Sequence, residues 1–352
     1  MTPVLTAVSG GVDSAVALWL LKEQGFSPEA LFITMYEGRE TEASFEAASR
    51  ICERLGVRLR RADARELFRR RVIDYFAGSY LHAETPNPCV VCNPEVKFRI
   101  LAQTADRLGI EKVATGHYAA VHTTSRGHAF LLTASDRQKD QTYFLHRLQR
   151  SMLSRVVFPL GRLRKDQVRK RAEELGIGAV VRQESQEICF LKDDAGLEPG
   201  GYRGFVRSIL GGPSESGPIL DTKGRLLGRH KGLFNYTVGQ RRGLGLPDKS
   251  PWYVLKLDFA ANTLIVGKEH ELYTSTLTLT DVNLLVPFKR ALFSPCRVKI
   301  RYRARPASAV VGQGPDGTMT VRFRTPQRAV TPGQFAVFYR GRLVLGGGCI
   351  CG

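Results

Sequence analysis

Three cysteines and one glycine-rich turn carry the residue types with the most chemistry in this sequence. Cys89 and Cys92 stand three apart in Thr85-Pro86-Asn87-Pro88-Cys89-Val90-Val91-Cys92-Asn93, a run whose prolines predict a stiff loop. Cys189 lies 97 residues beyond Cys92, in Ser185-Gln186-Glu187-Ile188-Cys189-Phe190. Two thiols that meet can pass sulfur. One holds a persulfide, and the other attacks it, releases the outer sulfur and leaves a disulfide. Half of a zinc site is the competing reading of Cys89 and Cys92. No second Cys-x-x-Cys completes such a site, and Cys349 with Cys351 makes only Cys-x-Cys. Cys52 and Cys296 read as small buried hydrophobes. The start, MTPVLTAVSGGVDS, lacks the pattern of a secretory leader, so a reduced, cytoplasmic protein is expected.

The second feature is Ser9-Gly10-Gly11-Val12-Asp13-Ser14. Its glycines let the backbone turn tightly and approach a ligand. Ser9, Ser14 and the N–H groups of a following helix can then hold phosphate. No Gly-Lys-Ser/Thr follows, so this is not a Walker loop. The bland alternative is an ordinary strand-to-helix turn. The six residues resemble the PP-loop of ATP pyrophosphatases, which split ATP into AMP and pyrophosphate. That likeness leaves small-molecule synthetases and tRNA-thiolating enzymes both open.

The elements that must position these groups alternate in the first half. Strands are expected at Pro3–Val8, Ala30–Met35, Val57–Ala62 and Lys112–Thr115. Helices are expected at Ser14–Gln24, Ala43–Leu55, Ala64–Tyr80, Lys97–Leu108 and Lys165–Leu175, with a short strand near Glu187–Phe190. This order predicts an α/β domain with a parallel, Rossmann-like sheet. Asp194–Gly201 reads as a domain edge. Beyond it come short runs between turns, at Trp252–Asp258, Thr263–Val266, Val298–Tyr302, Met319–Phe323 and Gln334–Phe338, the texture of small barrels.

Charge points to the partner. The 352 residues hold 52 Lys and Arg against 33 Asp and Glu, a formal +19. From Val282 to Gly352 stand 12 basic residues and one acid, Asp316. A surplus concentrated in one segment predicts a polyanion such as nucleic acid, rather than a charge spread for solubility. No stretch is apolar enough to cross a membrane.

Taken together, SGGVDS, TPNPCxxCN, ATGHY, KDQTYFL, SQEICF, GQRRGLG, RYR and TPGQFAVFY occur in the order seen in tRNA-specific 2-thiouridylases. The resemblance spans almost the whole chain. It implies a PP-loop domain over residues 1–199, a small, mostly β central domain over 200–275 and a basic, tRNA-binding C-terminal β-barrel over 276–352. It implies conversion of C2=O to C2=S on the wobble uridine of tRNA, with ATP and Mg²⁺ as cofactors. The ATP residues would be Ala7, Val8, Ser9, Gly10, Gly11, Val12, Asp13, Ser14, Ile33 and Gly116, with Asp13 the carboxylate near the metal. Cys92 would be the nucleophile and Cys189 the persulfide carrier, joined by a redox disulfide. Asn87, Pro88 and Cys89 would meet the target base. His117, Lys139, Asp140, Gln141, Arg301, Tyr302 and Gln334 would touch the tRNA anticodon stem-loop. The sulfur would come from a cysteine desulfurase or a relay protein.

Read from the residues alone, these roles are unequally supported. His117 suits either a ligand contact or the core. Asp140 could merely cap a helix over Thr142–Leu148. Arg301, Arg303 and Arg305 are expected to share one face of a strand. One departure matters: the family often carries Asp where this chain has Cys89. Three thiols, Cys89, Cys92 and Cys189, could hold an iron–sulfur cluster instead, a second route to the same reaction. A PP-loop synthetase acting on a small molecule, and a tRNA-binding module with a degenerate nucleotide site, are the rival functions.

Overall fold

The structure, a computed structural model, describes residues 1–82, 84–177, 188–191, 215–247, 249–287 and 295–351. The chain forms two compact units that are not simple runs of sequence. The first comprises Met1–Ile73, Pro88–Gly196 and Arg340–Leu345. The second comprises Asp74–Asn87, Leu197–Tyr339 and Gly346–Gly352. The expected domain edge at Asp194–Gly201 lies outside the described residues.

The first unit is built on β1 (Thr2–Val8), α1 (Val12–Glu23), β2 (Phe26–Thr34), α2 (Arg39–Arg54) and β3 (Leu59–Asp63). A short helix α3 (Arg65–Phe68) follows, and the next helix α4 (Asp74–Leu81) belongs to the second unit. Then come α5 (Pro88–Cys92), α6 (Arg99–Arg107), β4 (Lys112–Thr115), the hairpin β5 (Ala119–Thr123) and β6 (Ala129–Thr133), α7 (Arg150–Leu153), β7 (Val156–Val157) and α8 (Lys165–Glu174). Five strands form a parallel sheet in the order β3-β2-β1-β4-β7. β1 lies inside it, with Ala7 opposite Leu31 on one side and Thr115 on the other. Val4 and Leu5 are fully buried, as befits a strand covered on both faces. Val16, Leu18 and Leu21 of α1 are fully buried too. Each contributes roughly 1.5–3 kcal/mol, so packing rather than helix propensity holds α1. Its first turn carries Asp13 and Ser14.

The second unit carries two β assemblies. β8 (Gly217–Asp221), β9 (Leu226–His230), β10 (Tyr253–Asp258) and β11 (Thr263–Gly267) form a sheet in the order β10-β11-β8-β9 around Ile219, Val254, Leu264 and Val266. β12 (Tyr273–Leu284), β13 (Cys296–Lys299), β14 (Ala307–Gln313), β15 (Met319–Arg328), β16 (Phe335–Arg340) and β17 (Leu343–Ile350) run β12-β15-β14-β13-β16-β17, and β12 pairs back onto β17 at Leu279 and Ile350. This closes a six-stranded antiparallel barrel, as the resemblance implied.

Several local expectations fail, each for a visible reason. Ala64–Tyr80 is not one helix, because a wide-turn stretch at Arg69–Ile73 separates α3 from α4. The stiff loop expected around the cysteines is helical from Pro88, a residue pre-set for the first turn. Wide turns at Asn93–Phe98 then delay α6 to Arg99. The helix expected over Thr142–Leu148 is a single tight turn at Thr142–Phe144. Cys189–Leu191 is likewise a tight turn and not a strand, while Glu187 lies outside the described residues. β13 stops at Lys299, so Arg301, Arg303 and Arg305 follow the strand and share no strand face.

Candidate active site

In the sheet order the chain leaves β1 toward β2 and β3, then returns to place β4 on the other side of β1. Ligands of open parallel sheets bind at such a reversal, beyond the carboxyl ends of the strands. Ser9–Ser14 follows β1 and Gly116 follows β4, so two separate motifs meet there. A Cβ on Gly116 would fall 2.9 Å from the Asp13 carbonyl carbon and the Ser14 nitrogen. Gly10 has φ +74°, and a Cβ there would sit 2.4 Å from the Ser44 carbonyl oxygen. Gly11 caps α1 without a side chain, leaving the helix N–H groups facing outward from the turn. The Ser9 N–H donates to Ser14 Oγ at 3.2 Å, and Ser14 Oγ donates to the Gly11 carbonyl at 2.9 Å. This arrangement fits a polyphosphate. Ile33 is 9% exposed and lies near the carboxyl end of β2, opposite Ala62 of β3. A cleft of about 540 Å³ opens at the ends of β2 and β3, between Thr34, Tyr36 and the Arg61–Glu42 pair.

Asp13 is held from two sides. Lys165 Nζ and the Tyr118 hydroxyl donate to Asp13 Oδ1 at 2.7 and 2.9 Å. Burial pushes the Lys165 ammonium below its ordinary range and outweighs the pull of Asp13, while burial and the Asp13 charge push the Tyr118 phenol up. Gln141 Oε1 accepts the Tyr118 backbone N–H at 2.8 Å, so this residue positions the site from behind. Asp140 is 6% exposed and caps no helix. Its oxygens accept the Ala134 N–H at 2.9 Å and the Thr142 hydroxyl at 2.7 Å. Lys139 donates its backbone N–H to Asp136 at 3.2 Å.

The thiols gather in the same unit. Cys92 is 6% exposed, with its sulfur 3.9 Å from Met35 Sδ, and no disulfide joins it to Cys189. Burial pushes Cys92 up to about 12 and Cys189 up to about 11. Cys89 rises as well, chiefly from burial. The Cys92 thiol feels both Cys89 and Cys189, so the fold closes the 97-residue gap. Lys97 stands among them on the wide turns. Its ammonium is disfavoured by burial, yet the sulfurs of Cys92, Cys89 and Cys189 outweigh that and raise its pKa. Among the described residues no three Cys, His, Asp or Glu side chains are arranged to hold a metal ion. His117 is neutral, pushed down to about 3 by burial and by Lys97. Its Nδ1 lies 2.7 Å from Thr115 Oγ1, and its ring stacks on Phe98 at 6.0 Å.

In the second unit, Gln334 Nε2 donates to the Thr85 carbonyl at 2.8 Å, and the Thr85 N–H donates to the Pro332 carbonyl at 2.9 Å. Gln334 therefore fixes the residues leading into Asn87. Arg301 donates to the Ala329 carbonyl and, at 2.8 Å, to Thr331 Oγ1, while Tyr302 lies 5.3 Å under the Lys299 ammonium. The outward arginine row sought at 301–305 occurs instead on β15, where Arg322 and Arg324 are exposed and Val321 and Phe323 point inward. Sequence reasoning missed these two, and also Lys165, Tyr118 and Lys97. A lysine opening a helix, against the dipole, was the available signal for Lys165.

Three family models match this sequence. The tRNA methyl transferase HUP domain covers residues 2–193, the tRNA methyl transferase PRC-barrel domain 203–268 and the aminomethyltransferase beta-barrel domain 274–350. A tRNA-specific 2-thiouridylase MnmA of Acidithiobacillus ferrooxidans is 43% identical over 351 residues, 99% of this chain and 98% of the relative. One of Chloroflexus aurantiacus is 44% identical over 360 residues, with the same coverage. Among solved structures, the U34-tRNA thiolase NcsA from Methanococcus maripaludis with its 4Fe–4S cluster aligns at a TM-score of 0.36 and 19% identity, over 53% of this chain and 60% of that one.

Proposed function

This chain belongs to the family of tRNA-specific 2-thiouridylases, which makes it a tRNA sulfurtransferase, and on that premise we propose that it thiolates C2 of the wobble uridine through a cysteine persulfide. The observation that supports this most is the meeting of Cys92 and Cys189 beside the Lys97 ammonium, in the unit that carries the PP-loop. ATP is a substrate, and magnesium would neutralise its phosphates, with Asp13 the carboxylate at hand. The PP-loop N–H groups and Ser9 hold the polyphosphate. The uridine O2 attacks the α-phosphorus and pyrophosphate leaves, which turns O2 into part of a leaving group.

The outer sulfur of a persulfide on Cys189 then bonds to C2. Cys92, as thiolate, attacks the inner sulfur of Cys189, breaking the S–S bond and closing a Cys92–Cys189 disulfide. AMP departs with the C2–O electron pair. The two thiols are oxidised as the transferred sulfur is reduced, so an external thiol reductant must reset them and a sulfur-donor protein must reload Cys189. Lys97 is the cation placed to hold the Cys92 thiolate. Asn87, Pro88 and Cys89 would face the base, which leaves its stack readily in a single-stranded loop. Exposed arginines of the barrel, together with Arg301, Tyr302 and Gln334, would take the tRNA. The reducing cytoplasm suits thiols that must be reset.

Mass spectrometry of nucleosides from tRNA incubated with enzyme, ATP and a persulfide donor tests the reading. Appearance of 2-thiouridine that requires both Cys92 and Cys189, in iron-free enzyme, is expected. Product that depends on iron and equally on Cys89 would replace this route with the cluster route. No thiolated product, with turnover of a small amine or acid instead, would favour the synthetase reading.

A further inference from the structure

Lys165 and Asp13 are 152 residues apart in sequence, yet their side chains meet at 2.7 Å at the phosphate-binding turn. The Lys165 side chain is 7% exposed and that of Asp13 29%. The ammonium also stands 5.8 Å from the centroid of the Tyr118 ring. The backbone of Lys165 is fixed, because its N–H donates to Asp136 Oδ2 at 3.0 Å. Burying an ammonium is costly, and placing it in the first turn of α8 sets it against the helix dipole. Nothing in the fold requires such a pair at the mouth of a ligand turn, where the Asp13 side chain keeps 29% of its surface.

We propose that Lys165 is a polyphosphate ligand of this enzyme: it neutralises Asp13 before nucleotide binds, then passes to phosphate oxygens and leaves the Asp13 carboxylate, still held by the Tyr118 hydroxyl, open to the metal. The proposal rests on the PP-loop reading above. The exchange is favourable because a polyphosphate carries more charge than one carboxylate, and charge-assisted contacts are the stronger hydrogen bonds. It also orders events, since Asp13 is repelled by phosphate until a cation takes the place of the departed ammonium. The flexible four-carbon stem of lysine permits the move.

Titration calorimetry on the full chain in metal-free buffer, with ATP and with AMP as probes, tests this. Lys165→Met should weaken ATP binding by about tenfold or more, and AMP binding by less than about threefold, since AMP lacks the outer phosphates. Asp13→Asn keeps the ammonium and removes its competitor. That variant should bind metal-free ATP a few-fold more tightly than wild type and should lose the gain that magnesium brings. Metal-free ATP binding by Lys165→Met at the wild-type level overturns the proposal while leaving the PP-loop reading intact. Wild-type protein that binds no ATP overturns both. Where Lys165→Met unfolds too readily to titrate, Asp13→Asn decides, and weaker metal-free binding by that variant overturns the proposal.

Discussion

At the scale of single residues, burial sets the pH at which the thiols can react. Folding raises Cys92 to about 12 and Cys189 to about 11 from the ordinary 9.0 of a thiol, so the folded state holds their protons longer. The stability they contribute is full below 9.0 and is lost as pH rises through those values. In protein without tRNA, alkylation of both should therefore climb about tenfold per pH unit between roughly pH 8 and 11. Lys97→Met should slow it, because that ammonium pulls both values down. Rates already flat at pH 8, read by peptide mass spectrometry, would show the thiolates preformed. Asp13→Ala should abolish pyrophosphate release, and release at the wild-type rate in a coupled phosphate assay would move the nucleotide elsewhere. The sequence made the identity of these residues legible through motif and spacing. Their environment was not legible, because the ion pair of Asp13 with Lys165 spans 152 residues and no local pattern encodes it.

At the scale of elements, what was readable was periodicity, and what was missed was turn geometry. Apolar runs marked β1, β4 and β16 closely, since burial on both faces leaves an unbroken signature. The glycine run in β17 carries no such pattern and gave no warning of a strand. The wide turns at Asn93–Phe98, which present Lys97 to the thiols, depend on tertiary packing, and Asn93 Nδ2 anchors them on the Cys89 and Phe144 carbonyls at 3.0 and 3.2 Å. Two substitutions probe how elements hold the site. Gly116→Ala forces backbone apart where β4 meets the PP-loop, a clash of roughly 1–3 kcal/mol, so ATP affinity should fall about tenfold while the barrel is untouched. Unchanged affinity would show that the β4 end is not part of the nucleotide site. Gln334→Ala removes the tie to Thr85 and should raise KM for tRNA with little change in ATP affinity. A tRNA KM equal to wild type would leave Gln334 without a positioning role.

At the scale of the whole molecule, the excess charge of +19 was legible at once, and its location only in part. Counting along the chain put +11 of it in the last 71 residues, but the face that displays it depends on which strands exist. Because β13 ends at Lys299, the alternating arginines fall on β15, where Arg322 and Arg324 project from the side opposite Val321 and Phe323. Deleting the tail is a poor test of docking, since Arg340–Leu345 belongs to the first unit and its loss would damage the PP-loop domain as well. Charge removal on the intact chain is cleaner. Each phosphate contact contributes a log–log salt slope of roughly −0.7 to −0.9, so wild-type affinity for tRNA should fall steeply with added salt. Arg322→Ala with Arg324→Ala should make that slope shallower by about 1.5 if both meet phosphate, and should leave ATP affinity unchanged. The double variant loses no inward-facing side chain, so its unfolding midpoint should match wild type, and any lost affinity is then electrostatic. A wild-type slope near zero would remove the polyanion from the argument. A steep slope that the double variant shares would place the docking surface on other arginines, with Arg303 and Arg305 in the exposed turn after β13 the next pair to change.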